Sequence, residues 1–192
     1  MVAVRRLSHF ELLYAQVEAL PANLTGEIIK DTLLVSPRPS IPHAGAASEI
    51  GMQLGPPFRK GKGGPGGWWI LYEPELHLGE GPDVLVPDLG GWHMERLPEL
   101  PQAAFITLPP DWACEVLSPS TEKIDRSLKM DAYAKHGVQH LWLADTTEHA
   151  LEVYRLASGK YHLVSKTTGN APVNAEPFAA VALELKWLWG QR

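Results

Sequence analysis

The chain has 192 residues and a formal net charge of −5 at pH 7. Because domains usually contain about 100 to 150 residues, we expect a single domain over residues 1–192. No apolar run approaches the ~20 residues that span a bilayer, and the N-terminal segment lacks the apolar stretch of a secretory signal, so the sequence predicts a cytoplasmic protein with no membrane partner. Its one cysteine, Cys114, excludes an internal disulfide and a cysteine-based zinc cluster within this chain.

The acidic net charge bears on nucleic-acid binding, since proteins that bind nucleic acid usually present a basic surface to the phosphates. The nearest approach to such a surface is Arg59, Lys60 and Lys62, in a segment rich in glycine and proline that has the composition of a solvated loop. The charge argues against tight nonspecific binding. It does not exclude a nuclease, because an acidic metal site adds negative charge that bound cations neutralise.

Two helices and a hairpin are predicted in the first 60 residues. In "SHFELLYAQVEAL" the apolar residues recur at helical spacing, with Ser8 as the N-cap and Pro21 as the stop. "GEIIKDTLLVS" is typical of a short β-hairpin. "HAGAASEIGMQLG" predicts a second helix that ends at Gly55, before two prolines.

Strand patterns dominate from residue 68. "WWILYEPELHL", "DVLVPDLGG" and "DWACEVLS" are apolar runs separated by turn residues, and the last indicates a strand buried on both faces. A helix in "STEKIDRSLKMDAYAKHG", a strand in "VQHLWLADT" and a hairpin turning at Ser158 and Gly159 follow. The tail "FAAVALELKWLW" is expected to pack on the core. This order predicts an α+β fold, a mixed sheet flanked by helices.

Two acidic residues, Asp88 and Glu115, lie within apolar strand patterns. Burying an unpaired charge is costly, so such acids usually meet a metal ion, a cation or a hydrogen-bond network. On neighbouring strands they would grip one hard cation such as Mg²⁺, with the backbone carbonyl of Val116 as a further ligand. Two other interpretations remain: Asp88 forms a turn after Pro87, and Glu115 forms a salt bridge at a strand end.

The segments "VLVPDLGGWHMERLP", "PDWACEVLSPSTEKIDRSLKMDAYAKHGVQHLWLAD" and "LEVYRL" resemble the Uma-two family of restriction-endonuclease-like proteins. The resemblance covers residues 25–192 and leaves 1–24 as an N-terminal helical extension. It implies the PD-(D/E)XK nuclease fold, a magnesium-type ion, and Asp88 and Glu115 as catalytic residues. That superfamily places a lysine two residues after the second acid. Leu117 stands there in this chain, so the resemblance implies a lysine displaced onto the next helix, Lys129, which shares a helix face with Asp125.

Earlier positions also resemble the family. "GEII" and "SPRPSIPHAGAASEIGMQL" are similar to its glutamate-bearing strand and its helix led by histidine, which implies Glu27, His43 and Asp125 as second-rank site residues. The competing interpretations assign each residue a structural role. Glu27 would point to solvent, His43 would cap its helix, and Lys129 would be an exposed ion-pair partner of Asp125.

Other chemistries lack their motifs. The sequence contains no GxxxxGK[ST] phosphate loop, no HExxH zinc helix and no GxSxG nucleophile elbow, and its eight histidines form no cluster with ligand spacing. We therefore predict an endonuclease that uses Mg²⁺ or Mn²⁺ to cut DNA, with Asp88, Glu115 and Lys129 as catalytic residues. We also expect a homodimer, because the Trp-rich strands and "KWLWG" offer apolar surface. The alternative is a non-catalytic nucleic-acid-binding or assembly module that keeps the nuclease fold, which the acidic charge favours.

Overall fold

The computed structural model describes residues 7–191. The helical segments of this part are α1 (His9–Glu18), α2 (Ile41–Leu54), a π-helical turn (Gly55–Arg59), α3 (Glu122–Ile124), a second π-helical turn (Asp125–Lys129), α4 (Met130–Lys135) and α5 (Leu185–Leu188). The strands are β1 (Leu24–Ile29), β2 (Thr32–Pro37), β3 (Trp68–Tyr72), β4 (Glu75–Leu78), β5 (Asp83–Leu85), β6 (Leu89–His93), β7 (Phe105–Ile106), β8 (Trp112–Leu117), β9 (His140–Asp145), β10 (Ala150–Ala157), β11 (Lys160–Thr168), β12 (Pro172–Val173) and β13 (Leu183–Glu184).

These strands form two main sheets instead of the one that the sequence predicted. The first has the order β2-β1-β5-β4-β7 and the second the order β11-β10-β9-β8-β6-β3, while β12 and β13 form a separate pair. Each main sheet contains one parallel pair, β4 with β7 and β8 with β9, among antiparallel neighbours. The α+β class with mixed sheets and flanking helices is therefore confirmed.

The predicted starts and turns follow local chemistry. Ser8 caps α1 through a capping box, in which its hydroxyl accepts from the Glu11 amide and the Glu11 carboxylate accepts from the Ser8 amide. The β1–β2 hairpin turns through Lys30 and Asp31, whose φ angles of 50° and 58° suit a two-residue hairpin turn. The second predicted hairpin turns at Ser158, as expected, where φ is 51°.

The predicted end of the second helix needs a correction. The α-helix does stop at Leu54, but the chain continues helically through the π-helical turn Gly55–Arg59, in which the Lys60 amide donates to the Gly55 carbonyl at 3.1 Å. Both prolines lie at the start of this turn. Because proline has no N–H, neither residue can donate to the carbonyls of the preceding turn, so the α-helical hydrogen-bond pattern is interrupted where the π-helical turn begins.

Strand β8 lies between β9 and β6 in the interior of the second sheet, and all six of its residues are buried, as predicted. Its side chains alternate between two cores. Trp112, Cys114 and Val116 face the core that contains α2 and the C-terminal tail, while Ala113 and Leu117 face the core beneath α4. Glu115 therefore points to the α4 side. The tail packs on the core as predicted, with Leu183, Leu185 and Leu188 buried.

The connection between β5 and β6 is one of the short segments by which the chain passes between the two sheets. Strand β5 belongs to the first sheet and β6 to the second, so residues 86–88 cross from one sheet to the other. This crossing brings β1 of the first sheet towards β8 of the second. Within residues 7–191, no helix is both long and apolar enough to cross a membrane.

Candidate active site

A cleft of about 360 Å³ opens where the two sheets meet. The segment between β2 and α2 contributes to its lining, as does the segment between β8 and α3. The cleft is lined by every residue that the sequence singled out for the site, namely Glu27, His43, Asp88, Glu115, Val116, Asp125 and Lys129. The fold thus gathers into one place side chains from both sheets, from α2 and from the second π-helical turn.

The sequence predicted Asp88 within a strand, but the residue lies in the connection directly before β6. Its Oδ2 accepts a hydrogen bond from the Val116 amide at 2.7 Å, which ties the connection to β8. Glu27 on β1 acts in the same way, since its Oε1 accepts from the Val86 amide at 2.8 Å. Glu27 is buried, so the interpretation that it points to solvent is wrong.

The backbone after Asp88 depends on two glycines. A β-carbon on Gly90 would lie 2.9 Å from the Trp92 ring, and one on Gly91 would lie 2.9 Å from the Trp112 ring. Such distances are too short for van der Waals contact. Glycine at these positions therefore leaves room for the indole rings that pack against β6, the strand that directly follows Asp88.

Glu115 lies in the middle of β8, and its side chain is 4% exposed. Its Oε1 accepts from the Tyr133 hydroxyl at 2.5 Å and lies 2.8 Å from the Lys129 ammonium. Burial raises the pKa of Glu115 well above its ordinary value; Lys129 opposes this rise, and the neighbouring carboxylates of the cleft add to it. The interpretation of a salt bridge at a strand end therefore misplaces this residue, although it names the correct kind of partner.

Lys129 is buried with its ammonium among the carboxylates of the cleft. The Nζ atom lies 2.8 Å from Glu115 Oε1, 3.1 Å from Glu27 Oε1 and 3.9 Å from Asp125 Oδ1. It also donates to the Val86 carbonyl at 3.4 Å. Burial opposes the charged form, but these carboxylates raise the pKa of Lys129 well above its ordinary value, so the ammonium stays charged. The interpretation of Lys129 as an exposed partner of Asp125 is wrong.

The π-helical turn that carries Asp125 and Lys129 explains how a helix replaces the lysine missing from β8. Both residues are buried and point to the cleft, one from each end of the turn. Burial raises the pKa of Asp125, while Lys129 opposes this. Such π-helical turns are frequent at functional sites, because they redirect side chains within an otherwise regular helix.

His43 lies in the first turn of α2, where it is buried against Asp88. Its Nε2 atom is 3.2 Å from Asp88 Oδ2. The cap of α2 is Ser40, whose hydroxyl accepts from the His43 amide at 3.5 Å, so the capping role proposed for His43 is wrong. Burial opposes protonation of His43, yet the hydrogen bond and negative charge of Asp88 raise its pKa.

We call Glu27, Asp88, Glu115, Asp125 and Lys129 the cleft cluster. It combines four carboxyl groups with one lysine, and the raised pKa values of Glu115 and Asp125 mean that these two acids take up protons more readily than exposed acids do. A hard divalent cation suits such a set of carboxyl oxygens, because it can replace those protons. Across residues 7–191, however, no three His, Cys, Asp or Glu side chains converge as a ready set of metal ligands. The Lys129 ammonium lies between the carboxylates that such an ion would need.

Sequence reasoning missed two features of the cleft. The first is Tyr133, which is fully buried and whose hydroxyl donates a hydrogen bond to Glu115. A signal was present, since Asp125, Lys129 and Tyr133 follow one another at a spacing of four residues along one helix face. Arg38 lines the cleft as well, and nothing in its local pattern except two flanking prolines distinguished it.

Comparisons with known proteins agree with the resemblance seen in the sequence. The model of the Uma2 family, described as "Putative restriction endonuclease", matches residues 11–187, which includes most of α1. A solved structure from Anabaena variabilis ATCC 29413, described as "a putative nuclease belonging to DUF820", superposes with a TM-score of 0.70 at 24% identity, covering 96% of this chain and 98% of that one. No curated protein matches the chain. The solved structure supports the restriction-endonuclease-like fold.

Proposed function

Because this chain belongs to the Uma2 family, we propose that it is a metal-dependent endonuclease that hydrolyses phosphodiester bonds of DNA. The observation that carries the proposal is the cleft cluster, with buried carboxylates in surplus over cations at an open cleft. Structural ion networks are usually neutralised. A cluster with more carboxyl groups than cations, two of them with raised pKa values, is suited to bind a metal ion together with an anionic substrate.

Asp88, Glu115 and the Val116 carbonyl are the groups that would hold Mg²⁺ or Mn²⁺. The ion would polarise the phosphate and make a water nucleophilic near neutral pH. The other residues of the chain prepare these ligands. The Val116 amide and His43 fix Asp88, and the Tyr133 hydroxyl fixes Glu115. Lys129 supplies positive charge for the phosphate oxygens, and Glu27 and Asp125 keep that lysine charged.

The direct test is nicking of supercoiled DNA by the purified protein with Mg²⁺ or Mn²⁺. We expect the wild-type protein to nick and Asp88→Ala to lose at least about 100-fold in rate, as is typical when a group that stabilises the transition state is removed. Asp131→Ala is the matched control, because Asp131 is an exposed acid on α4 that pairs with Lys30. Equal nicking by wild type and Asp88→Ala would point to a contaminating nuclease and would contradict the proposal.

The second candidate is a non-catalytic module that keeps the fold. It is favoured by the net charge of −5 and by the position of Lys129, which already neutralises part of the cleft cluster. Titration calorimetry with Mn²⁺ separates the two. Metal binding that is lost in Asp88→Ala supports the nuclease, whereas no heat of binding in the wild-type protein supports the module.

We also propose a homodimer in the cytoplasm. The expected support from Trp-rich strands is wrong in large part, because Trp68, Trp92, Trp112 and Trp142 are buried. Trp187 remains, at 43% exposed, as apolar surface near the C-terminus. Light scattering should give twice the chain mass of 21.1 kDa, and particles of the single mass would refute the dimer. The buried free thiol of Cys114 is compatible with a reducing compartment.

A further inference from the structure

Arg38 is held in a fixed position at the mouth of the cleft. It follows β2 between Pro37 and Pro39, which restrict the backbone on both sides. Its amide donates to the Asn23 carbonyl at 3.1 Å, and its Nε donates to the Ala22 carbonyl at 2.9 Å. Two anchors and two prolines therefore orient an exposed arginine that lines the cleft.

The terminal amino groups of Arg38 have no protein partner within residues 7–191, which distinguishes it from the other arginines described there. Arg96, Arg126 and Arg155 each form an ion pair with a carboxylate. Arg59 lies over the Trp69 ring at 3.9 Å. The two Nη groups of Arg38 remain free although the cleft beside it is rich in carboxylates.

Charge gives these free groups a role. The positively charged or protonatable side chains that line the cleft are Arg38, His43 and Lys129. His43 is buried against Asp88, and Lys129 is buried among carboxylates, so neither faces solvent. Arg38 is therefore the exposed cation at the mouth of an acidic cleft, where an incoming polyanion meets the protein first.

We propose that Arg38 is a substrate-binding residue whose two Nη groups bind a phosphate of the DNA backbone at the mouth of the cleft. The planar guanidinium matches two phosphate oxygens at once, and its fixed orientation reduces the entropy lost on binding. The bound phosphate positions a neighbouring phosphodiester next to the cleft cluster. This proposal rests on the proposed nuclease function and adds the residue that retains substrate despite the acidic net charge.

The test measures the affinity of Arg38→Gln for a fluorescently labelled DNA duplex by anisotropy, with Ca²⁺ replacing Mg²⁺ and over a series of salt concentrations. We expect affinity to fall about 10-fold, the loss of one charge-assisted hydrogen-bonding pair. The plot of log affinity against log salt concentration should become less steep, with its negative slope smaller in size by about one, because one phosphate contact is removed. Mn²⁺ affinity should stay at the wild-type value, since Arg38 contacts no member of the cleft cluster, and loss of the exposed hydrogen bond to the Ala22 carbonyl should lower the unfolding temperature only slightly.

Lys62→Ala is the matched control, because Lys62 is an exposed cation in the glycine-rich segment and does not line the cleft. Wild-type affinity and salt slope in Arg38→Gln would overturn the proposal, as would an equal loss in Lys62→Ala. The two proposals fail differently. If wild type nicks DNA and Asp88→Ala does not, while Arg38→Gln binds normally, only the role of Arg38 is wrong. If wild type neither binds nor nicks DNA, both proposals are wrong.

Discussion

Two buried carboxylates in this molecule, Asp83 and Glu115, have the same exposure of 3% and opposite electrostatic surroundings. Asp83 accepts from the Lys135 ammonium at 2.8 Å, lies 2.7 Å from His136 Nε2, and accepts from the Lys30 amide at 2.9 Å. Burial alone would raise the pKa of Asp83, but these donors lower it. For Glu115, burial and neighbouring acids outweigh Lys129 and raise the pKa.

The two carboxylates are equally inaccessible to solvent, but Asp83 lies near enough to the surface to pair with the half-exposed Lys135, whereas Glu115 lies deeper and among other acids. The difference between them therefore reflects charge balance together with depth.

A third buried acid, Glu152, resembles Asp83. It forms ion pairs with Arg126 and Lys166 and accepts a hydrogen bond from the Tyr154 hydroxyl, and its pKa is lowered to about 2. The fold therefore can satisfy buried acids. The cleft cluster has more carboxyl groups than cations, and its raised pKa values show that ionising all of them is costly, as expected of a site selected for binding.

The largest expected effect on stability comes from removing the lysine that pairs with Glu115, compared with removing the lysine that pairs with Asp83. Lys129→Met leaves the buried carboxylates of the cleft cluster without their ammonium, and we expect the free energy of unfolding of metal-free protein to fall by about 3 kcal/mol. Lys135→Met removes a side chain that is 55% exposed from Asp83, and solvent screening should limit that loss to less than about 1 kcal/mol. Urea denaturation in EDTA measures both.

Mn²⁺ should then distinguish the two variants. Because Lys129 competes with a divalent ion for the same carboxylates, Lys129→Met should bind Mn²⁺ more tightly than the wild type and recover stability when the ion is added. Lys135→Met should respond to Mn²⁺ as the wild type does. Equal losses in the two variants, or no recovery of Lys129→Met, would show that the cleft cluster is an ordinary structural network.

A second, smaller effect is the pH dependence of the stability that Glu152 contributes. Glu152→Gln should destabilise the protein by about 2 kcal/mol at pH 7, because it removes charge-assisted hydrogen bonds to Arg126 and Lys166. The folded pKa of Glu152 is about 2, below that of an unfolded glutamate at about 4.3, so its stabilisation is present above that unfolded value and is lost as pH falls towards 2.

Urea denaturation between pH 7 and pH 2 measures this dependence. The gap between wild type and Glu152→Gln should shrink through the acid range, while the exposed Glu99→Gln should match the wild type throughout. A gap that stays constant as the pH falls would mean that Glu152 contributes through packing and not through its charge.

The features that the sequence predicted are those with a local cause. The N-cap at Ser8, the hairpin of β1 and β2 and the buried β8 all follow from neighbouring residues. The acid in the middle of β8 was also identifiable, since a charge in a continuous apolar run requires a partner wherever the strand is placed.

The features that escaped depend on contacts between distant parts of the chain. Asp88 lies between two sheets, and no periodicity indicates where one sheet ends and the next begins. Two other features also depend on such contacts. The hydrogen bond from Tyr133 to Glu115 forms only when α4 packs on β8, and the Nη groups of Arg38 reach the cleft only when the β1–β2 hairpin is in place. The sequence located the acids of the site better than the groups that orient them.

The smallest effect tests that last point with two tyrosines that make the same kind of bond. Tyr133 donates to Glu115 at 2.5 Å and Tyr154 donates to Glu152 at 2.7 Å. Replacing either with phenylalanine should reduce stability by about 1 kcal/mol, the usual contribution of one hydrogen bond. Only Tyr133→Phe should also weaken Mn²⁺ binding in calorimetry, by about 10-fold, because it frees a carboxylate that has to be held for the ion. If Tyr154→Phe weakens Mn²⁺ binding to the same degree, the hydroxyl of Tyr133 acts through general stability. If Tyr154→Phe leaves Mn²⁺ binding unchanged, the two buried acids have different roles: Glu115 is oriented for binding, and Glu152 stabilises the fold.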